Sequence, residues 1–438
     1  MSTNQPTILV TGASGYIGGR LLEKLLDSKQ KVISMVRRPD QFTQRFTKKH
    51  ECRYGNTLNS ESLNLALKDI DIAFYLIHSL EYEGDFVQKE IESIQNFLNA
   101  AKKNNVKKII YLGGLFKEDD QLSPHLLSRK KVGDLIRASD IPSITFRASI
   151  IIGSGSISFE MIRNLTESLP LLITPKWVRV KAQPIGIADV LSYLTKAINL
   201  DINSHQIYEI GGENQISYSD IIKEYARQRK LKRFIIPMPG LSPKISGFWL
   251  SVFTPLYAKI GAKLIDSIKN ATTVSNSTNT FKTFDIKPIS MAEAIRRAIE
   301  KEDLQFTKTH WASAYSSSNY NEKWLESRTG NKLIYTKKIS INSSINDCFK
   351  PVKGIGGKNG WYYWNALWSL RGIVDLFFGG PGRNRGRKHP YHLHEGDFLD
   401  WWRVEVLKEP YILRLFAEMK VPGRAWLEFE LKKQSSLQ

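Results

Sequence analysis

The sequence predicts two domains: a doubly wound α/β domain built on a parallel sheet, followed by a smaller α+β domain. Three observations predict this. The chain has 438 residues, which is long for one domain, and 42% of them are hydrophobic, enough for buried cores. Short β-rich runs alternate with helical patterns up to about residue 152, and this alternation ends after a Ser/Asn-rich stretch.

The first domain is predicted from β-rich runs separated by segments with a 3.6-residue hydrophobic period. The runs are "TILVTG" (7–12), "KVISMVR" (31–37), "IAFYLI" (72–77), "KKIIYLGG" (107–114) and "ITFRASIIIG" (144–153). Helices are predicted between them and again at 217–230 and 290–303. We place this domain at residues 1–305 and a linker at 306–330.

The second domain, residues 331–438, reads differently. "KLIYTKKISI" (332–341) and "RAWLEFELK" (424–432) alternate like strands, and "GWYYWNALWSLRGIVDLFF" (360–378) reads as an aromatic helix. Its tryptophans predict core packing first and the lining of an apolar pocket second.

Composition narrows the function classes. The formal net charge of +20 favours polyanionic partners, which include phosphorylated ligands, acidic proteins, an anionic membrane surface and nucleic acid. The only two cysteines, Cys52 and Cys348, exclude a disulfide framework and suit a reducing compartment. With no signal peptide evident, we expect a cytoplasmic protein. The apolar segment at 245–265 leaves peripheral contact with the inner membrane open as an alternative.

A glycine loop follows the first predicted strand. Gly12, Gly15 and Gly18 have the spacing G-x-x-G-x-x-G and open an amphipathic helix. The first glycine permits the turn, the second lets the backbone approach a phosphate, and the third lets the helix pack against the strand. The loop therefore predicts a Rossmann-type dinucleotide site, with the helix N-terminus facing the diphosphate.

The second strand carries the signal for cofactor choice. Arg37 and Arg38 stand at its end, where an NAD site has an acidic residue. Because a guanidinium can bind the 2′-phosphate, we predict NADP(H) in preference to NAD(H). Arginines that are merely solvated would leave the selectivity open.

These residues resemble the extended and atypical short-chain dehydrogenase/reductase superfamily, above all its NmrA-like branch and the accessory nucleotide-binding subunit of respiratory complex I. The resemblance extends over residues 7–300 through "TGASGYIG", "VRRP", "YLIHS", "YLGG", "FRASIIIGSGS" and "QPIGIADV". It implies that the nicotinamide dinucleotide contacts the loop and helix start, the arginines and the backbone after the third predicted strand. These cofactor-binding residues are Gly12, Ser14, Gly15, Tyr16, Ile17, Gly18, Arg37, Arg38, Ile77, His78 and Ser79.

The superfamily's catalytic pattern is altered. A Tyr-x-x-x-Lys pair is expected on one helix, but "HLLSRKKVGD" (125–134) places His125 and Arg129 at those positions. Gly113 and Gly114 stand where the superfamily has a serine. His125 is the candidate proton donor, since imidazole titrates near neutrality, and Arg129 the candidate clamp for ribose or phosphate. A non-catalytic site is the alternative.

The second domain resembles the START-like helix-grip superfamily, which often encloses an apolar ligand, but with a shortened C-terminus. The resemblance implies an apolar small molecule or a protein partner that covers the open face. The loop "GGPGRNRGRKHP" (379–390) fits a solvated tip or an anion site. A nucleic-acid partner is not favoured, because no recognised nucleic-acid motif accompanies this loop. Three histidines at 389, 392 and 394 have a spacing that suits no single helix or strand face, so we predict no metal site.

Three functional hypotheses remain. The first is an NADP(H)-dependent atypical reductase that acts on or senses an apolar ligand. The second is a non-catalytic dinucleotide-binding module that reports redox state or stabilises an assembly. The third is a basic protein that binds a membrane surface or nucleic acid.

Overall fold

A computed structural model of the chain describes residues 5–28, 30–39, 42, 49–78, 86–117, 121–174, 176–237, 270–275, 277–303, 337, 339–362, 365–377, 386–387, 392–419 and 425–433. The chain divides into two compact units, Met1–Trp311 and Ala312–Gln438. The predicted linker and the apolar segment at 245–265 lie outside the described residues. Within the described part, no helix combines the length and the hydropathy needed to cross a membrane.

The strands, in chain order, are β1 Ile8–Thr11, β2 Val32–Val36, β3 Glu51–Tyr54, β4 Ile72–Tyr75, β5 Lys108–Gly114, β6 Ser143–Ala148, β7 Ile151–Ile152, β8 Leu171–Thr174, β9 Lys181–Ala182, β10 Ile185–Gly186, β11 Gln206–Ile210, β12 Ile216–Ser217, β13 Phe234–Pro237, β14 Phe398–Leu399, β15 Trp402–Lys408, β16 Ile412–Ala417 and β17 Trp426–Glu430. The helices are α1 Tyr16–Asp27, α2 Ser60–Ala66, α3 Phe86–Lys103, α4 Pro124–Ala138, α5 Ile157–Ser168, α6 Ile187–Lys196, α7 Tyr218–Gln228, α8 Ser277–Phe284, α9 Met291–Asp303, α10 Ile345–Gly354 and α11 Asn365–Phe377.

Seven strands form one parallel sheet in the first unit, in the order β3-β2-β1-β4-β5-β6-β11. The order reverses between β1 and β4, so the connections on either side of this point cross opposite faces of the sheet. The predicted doubly wound α/β fold is confirmed. The reversal opens a crevice beyond the carboxyl ends of β1 and β4, where ligands bind in folds of this kind.

The sheet is buried on both faces, as its nearly continuous apolar strands require. Alternate side chains of β1 divide between the two layers: Ile8 and Val10 pack toward α1, α6 and α8, while Leu9 packs toward α2, α3 and α4. A third cluster lies among α5, α7 and α9 and includes Phe159 and Tyr225. Both layers hold the carboxyl edge of the sheet in a fixed position.

The second unit contains an antiparallel meander, β14-β15-β16-β17, together with α10 and α11. A smaller α+β domain is therefore confirmed, whereas the helix-grip identity stays a prediction.

Two local predictions need correction. In the predicted strand at 332–341, residues 337 and 339–341 are not in a strand. The aromatic helix starts at Asn365, five residues later than predicted, because Gly360 has a φ of +69° and the Asn365 side chain accepts a hydrogen bond from the Trp361 amide at 2.8 Å.

Candidate functional site

The chain turns sharply where β1 ends. Gly12 has a φ of +63°, a conformation that L side chains rarely adopt, and a Cβ built on it would lie 2.5 Å from the Leu76 carbonyl oxygen. The amide of Gly15 donates to the Gly12 carbonyl at 2.9 Å, which closes the turn. We call residues 12–18 the glycine elbow. It brings the end of β1 against the residue that follows β4.

Helix α1 begins inside this elbow. Gly15 is its N-cap and provides no side chain to accept the amide hydrogens of the first turn. A Cβ on Gly18 would collide with the Gly12 carbonyl, so only glycine lets the helix lie this close to the turn. The first-turn amides thus follow a turn whose three glycines carry no side chain, which is the arrangement that holds a diphosphate in folds of this kind. The residues present fit the predicted cofactor.

A buried hydroxyl joins the two strands at the point of reversal. The Thr11 side chain is fully buried, donates to the Phe74 carbonyl at 2.9 Å and accepts from the Leu76 amide at 3.1 Å. These two bonds satisfy backbone groups at the end of β4, where the ladder stops. Sequence reasoning missed Thr11, whose only signal was a polar residue at the end of a buried strand.

The predicted 2′-phosphate arginines follow β2, the neighbour of β1. Arg37 is exposed and Arg38 is half-buried, and both stand at the carboxyl edge that carries the elbow. Asp40 lies outside the described residues. The preference for NADP(H) over NAD(H) stays a prediction.

Tyr16 and Ile17 open helix α1. The Tyr16 ring is buried, and the guanidinium of Arg20 lies 4.8 Å from its centre. Arg20 also donates to the Ser154 carbonyl at 2.8 Å, which ties α1 to the segment after β7. Ile17 packs against the apolar layer below the helix. The contact of these two residues with a dinucleotide stays a prediction.

The end of β4 carries the second group of predicted residues. Ile77 and His78 are half-buried there, and Ser79 lies outside the described residues. The Nδ1 atom of His78 is 2.7 Å from Oε1 of Glu90, which projects from α3. Sequence reasoning missed Glu90. Its signal was its place on the apolar face of α3, four residues after Phe86 and four before Ile94, both of which are buried.

Glu90 is the centre of a buried charge cluster. Only 3% of its side chain is exposed, its Oε2 atom lies 2.8 Å from the Arg129 guanidinium, and Ser128 donates to the same oxygen. Burial would raise the pKa of Glu90, but Arg129 and His78 outweigh this effect and hold the pKa well below its usual range. The carboxyl group is therefore ionised.

The helix predicted to carry His125 and Arg129 is confirmed as α4. The two residues lie one turn apart, but Arg129 is 7% exposed and its guanidinium is paired with Glu90 inside the protein. Burial lowers the pKa of Arg129, an effect outweighed by Tyr111 and Glu90, so the pKa is raised overall. The proposed contact of Arg129 with ribose or phosphate stays a prediction.

His125 is half-buried and lies against His78, with ring centres 5.0 Å apart and ring planes inclined by 28°. Gly113 and Gly114 end β5 and supply no hydroxyl. The nearest phenol on that strand, Tyr111, donates to the Arg129 carbonyl at 3.1 Å, and burial raises its pKa to about 12. Two imidazole rings thus lie side by side at the start of α4 and the end of β4.

The second unit has a buried ion pair of its own, between Arg403 and Glu418 at 2.6 Å. Arg387 donates to the Ile355 carbonyl at 2.7 Å, whereas most of its arginine-rich loop, and His389, lie outside the described residues. The His394 amide donates to Asp397 at 3.0 Å. Trp361, Trp368, Trp401 and Trp402 stack into one core cluster, with neighbouring ring centres 5.3–6.1 Å apart.

Comparison with known families matches both halves of the chain. Residues 12–144 match a family model described as "NAD(P)H-binding", and residues 333–438 match one described as "Protein of unknown function (DUF2867)". A search of curated proteins finds no match.

Solved structures share the fold of the first unit. The Escherichia coli NADPH-dependent quinone oxidoreductase, solved with NADPH, aligns with a TM-score of 0.55 at 17% identity over 67% of this chain and 100% of its own. The Citrobacter sp. triphenylmethane reductase, solved with NADP(H), aligns with a TM-score of 0.55 at 19% identity over 67% of this chain and 100% of its own. The UDP-glucose 4-epimerase of Thermotoga maritima aligns with a TM-score of 0.53 at 13% identity over 67% of this chain and 97% of its own. The first unit of this chain therefore has a Rossmann fold, which it shares with these two reductases and this epimerase.

Proposed function

We propose that the protein is an NADP(H)-dependent atypical reductase that acts on an apolar carbonyl, quinone or alkene. The glycine elbow carries this proposal, because each of its glycines occupies a place that a Cβ would fill with a clash or a close contact. The elbow and the first turn of α1 would hold the diphosphate, and Arg37 and Arg38 the 2′-phosphate. When bound, the nicotinamide supplies a hydride.

The reduction of a carbonyl also consumes a proton, and His125 is the proposed source. It projects from the start of α4, the helix on which the superfamily carries its proton donor. Unlike a phenol, an imidazole exchanges its proton near neutral pH without a neighbouring amine. The chain would thus hold the proton on a different residue type at the same place in the fold.

A second candidate function is a non-catalytic dinucleotide-binding module. It is supported by the strand end at Gly113 and Gly114, which lacks a hydroxyl, and by Arg129, whose guanidinium is engaged with Glu90. Such a module would bind the same cofactor without turning it over. In either case we propose a cytoplasmic protein whose second unit binds an apolar ligand or a protein partner.

Titration of the purified protein with NADPH and with NADH, followed by an anaerobic screen for NADPH oxidation with quinones and aldehydes, tests the proposal. The reductase hypothesis expects NADPH binding, turnover with one acceptor class, and loss of turnover in His125→Ala with affinity nearly unchanged. Tight NADPH binding without turnover would favour the second candidate. Absence of binding by either nucleotide would contradict both.

A further inference from the structure

The contact between Glu90 and His78 fixes where one proton lies. An ionised carboxylate accepts hydrogen bonds and cannot donate them. Because Glu90 is ionised and its Oε1 atom is 2.7 Å from His78 Nδ1, that nitrogen carries a hydrogen. The remaining nitrogen of His78, Nε2, is the position at which this ring gains or loses a proton. Glu90 therefore sets both the tautomer and the orientation of the ring.

The short distance between His78 and His125 limits how many protons the two rings can hold together. Their ring centres are 5.0 Å apart, a distance at which two positive charges raise each other's energy. The charge of Glu90 is already balanced by Arg129, 2.8 Å away. The nearby phenols of Tyr75 and Tyr111 stay neutral, because burial raises the pKa of both. Among the described residues, these charges favour one positive charge on the two rings over two.

We propose that His78 and His125 act as one acid that holds a single exchangeable proton, with Glu90 as the residue that positions His78. The inference deepens the proposed function and relies on it for the chemistry. Reduction of a carbonyl breaks the C=O π bond and adds a hydride to carbon, while the proton held by the histidine pair passes to oxygen. The pair is then neutral and regains a proton from water, so the reduction is balanced by one hydride and one proton.

The burial of the pair supports this role. His78 Nε2 and His125 Nδ1 have almost no solvent-accessible surface, whereas 30% of the His78 side chain is exposed to water. Glu90, Ser128 and Arg129 join α3 to α4 behind them. The pair thus stands at the ends of β4 and α4 on a rigid support, as a preorganised proton donor requires.

Nitrogen-15 NMR of the histidine-labelled full chain, without any dinucleotide, tests the pairing directly. We expect His78 Nδ1 to remain protonated throughout, and the pair to bind its second proton at least about one pH unit below its first. In His125→Asn, His78 should titrate in one step. His205→Asn is the matched control, since His205 bonds to Ser143 on β6 at 3.0 Å and should leave both steps unchanged. Independent titration of His78 and His125 in the wild type would overturn the proposal.

The positioning role of Glu90 needs a variant that leaves no buried charge unpaired. We therefore combine Glu90→Leu with Arg129→Met and expect His78 to become a mixture of its two tautomers, with at least a tenfold loss of turnover. A His78 ring that stays entirely in the Nδ1–H form would refute the role of Glu90. If this variant does not fold, the protonation state of His78 Nδ1 in the wild-type spectra decides, because a loss of that hydrogen would refute the role of Glu90.

Failure of this inference is distinguishable from failure of the proposed function. The NMR measurements use the chain alone, so an absence of NADPH binding leaves them interpretable and contradicts only the proposed function. A wild type that oxidises NADPH while its two histidines titrate independently contradicts only the pairing.

Discussion

The glycine elbow and the histidine pair lie along the same edge of the sheet, yet they are built in different ways. The elbow is made of backbone, and its residues lie within seven positions of the chain. The histidine pair depends on side chains from β4, α3 and α4 that are up to 51 positions apart, from His78 to Arg129. A backbone site of this kind can be identified from glycine spacing, whereas a side-chain site becomes visible only when the helices are packed.

Glu90→Gln should have the largest effect and shows how strongly the second region depends on its charges. The change leaves the Arg129 guanidinium buried without a counter-charge, so we expect the free energy of unfolding to fall by about 3–5 kcal/mol. Glu90→Gln combined with Arg129→Met should recover most of this loss. Urea unfolding of both variants measures the loss, and equal stabilities of the two variants would show that the unpaired Arg129 charge is not its cause.

Gly18→Ala tests the first region. The added Cβ would collide with the Gly12 carbonyl, and we expect overpacking of about 1–3 kcal/mol to weaken NADPH binding by roughly a factor of ten to a hundred. Gly133→Ala is the matched control, because its Cβ would meet Tyr111 at an ordinary 3.6 Å inside α4. Calorimetry gives the affinities. Unchanged binding by Gly18→Ala would mean that the elbow does not hold the dinucleotide.

Thr11→Val tests how the elbow is attached to β4. The substitution removes both hydrogen bonds of a buried hydroxyl, and we expect a loss of about 1–3 kcal/mol in the free energy of unfolding. Thr195→Val, whose hydroxyl bonds only within its own helix at 2.8 Å, should change stability much less. Denaturant unfolding of the two variants compares them. Equal losses would show that the hydrogen bonds of Thr11 to Phe74 and Leu76 stabilise the protein no more than a bond within one helix.

The pH dependence of stability sharpens the comparison, because the elbow contains no carboxyl or imidazole side chain that would produce such a dependence in the acid range. The pKa of Glu90 is lowered in the folded state, so its contribution is complete above the usual glutamate pKa and is lost as the pH falls below it. Below about pH 4.5 the free energy of unfolding of the wild type should fall by about 1.4 kcal/mol more per pH unit than that of the variant with Glu90→Gln and Arg129→Met. Urea unfolding at pH 7 and pH 4 measures this. If the free energy of unfolding falls equally for the wild type and the variant, the lowered pKa of Glu90 is contradicted.

Arg37→Ala with Arg38→Ala should have the smallest effect, confined to cofactor choice. Both side chains reach solvent, so we expect about a tenfold loss of NADPH affinity and little change for NADH. Arg137→Ala, a surface arginine paired with Asp134 at 2.8 Å, is the control. An equal loss for both nucleotides would mean that the arginines bind the diphosphate instead.

How much could be predicted from the sequence follows the same division. Strands β1, β2, β4 and β5 are short runs of apolar residues and were predicted, because burial on both faces demands that pattern. The edge strand β3 was missed, since "ECRY" is only partly buried and carries no such pattern. In the second unit, residues 337 and 339–341 of the predicted strand at 332–341 are not in a strand, because alternation alone does not show whether a partner strand is present.

The site shows a similar contrast. The spacing of Gly12, Gly15 and Gly18 predicted the elbow, because backbone geometry fixes which residue type each position accepts. Glu90 could not be identified as a partner of His78 without the packing of α3 against α4, which brings Arg129 to the same carboxylate. The only signal for Glu90 in the sequence was a charged residue on the apolar face of a predicted helix.

Isothermal titration calorimetry of the full chain with NADPH and NADH tests the central claim, that the elbow binds a phosphorylated nicotinamide dinucleotide. We expect one NADPH per chain and a weaker affinity for NADH. If neither nucleotide binds at about millimolar concentration, where even an affinity of roughly 4 kcal/mol would be detected, the account is wrong.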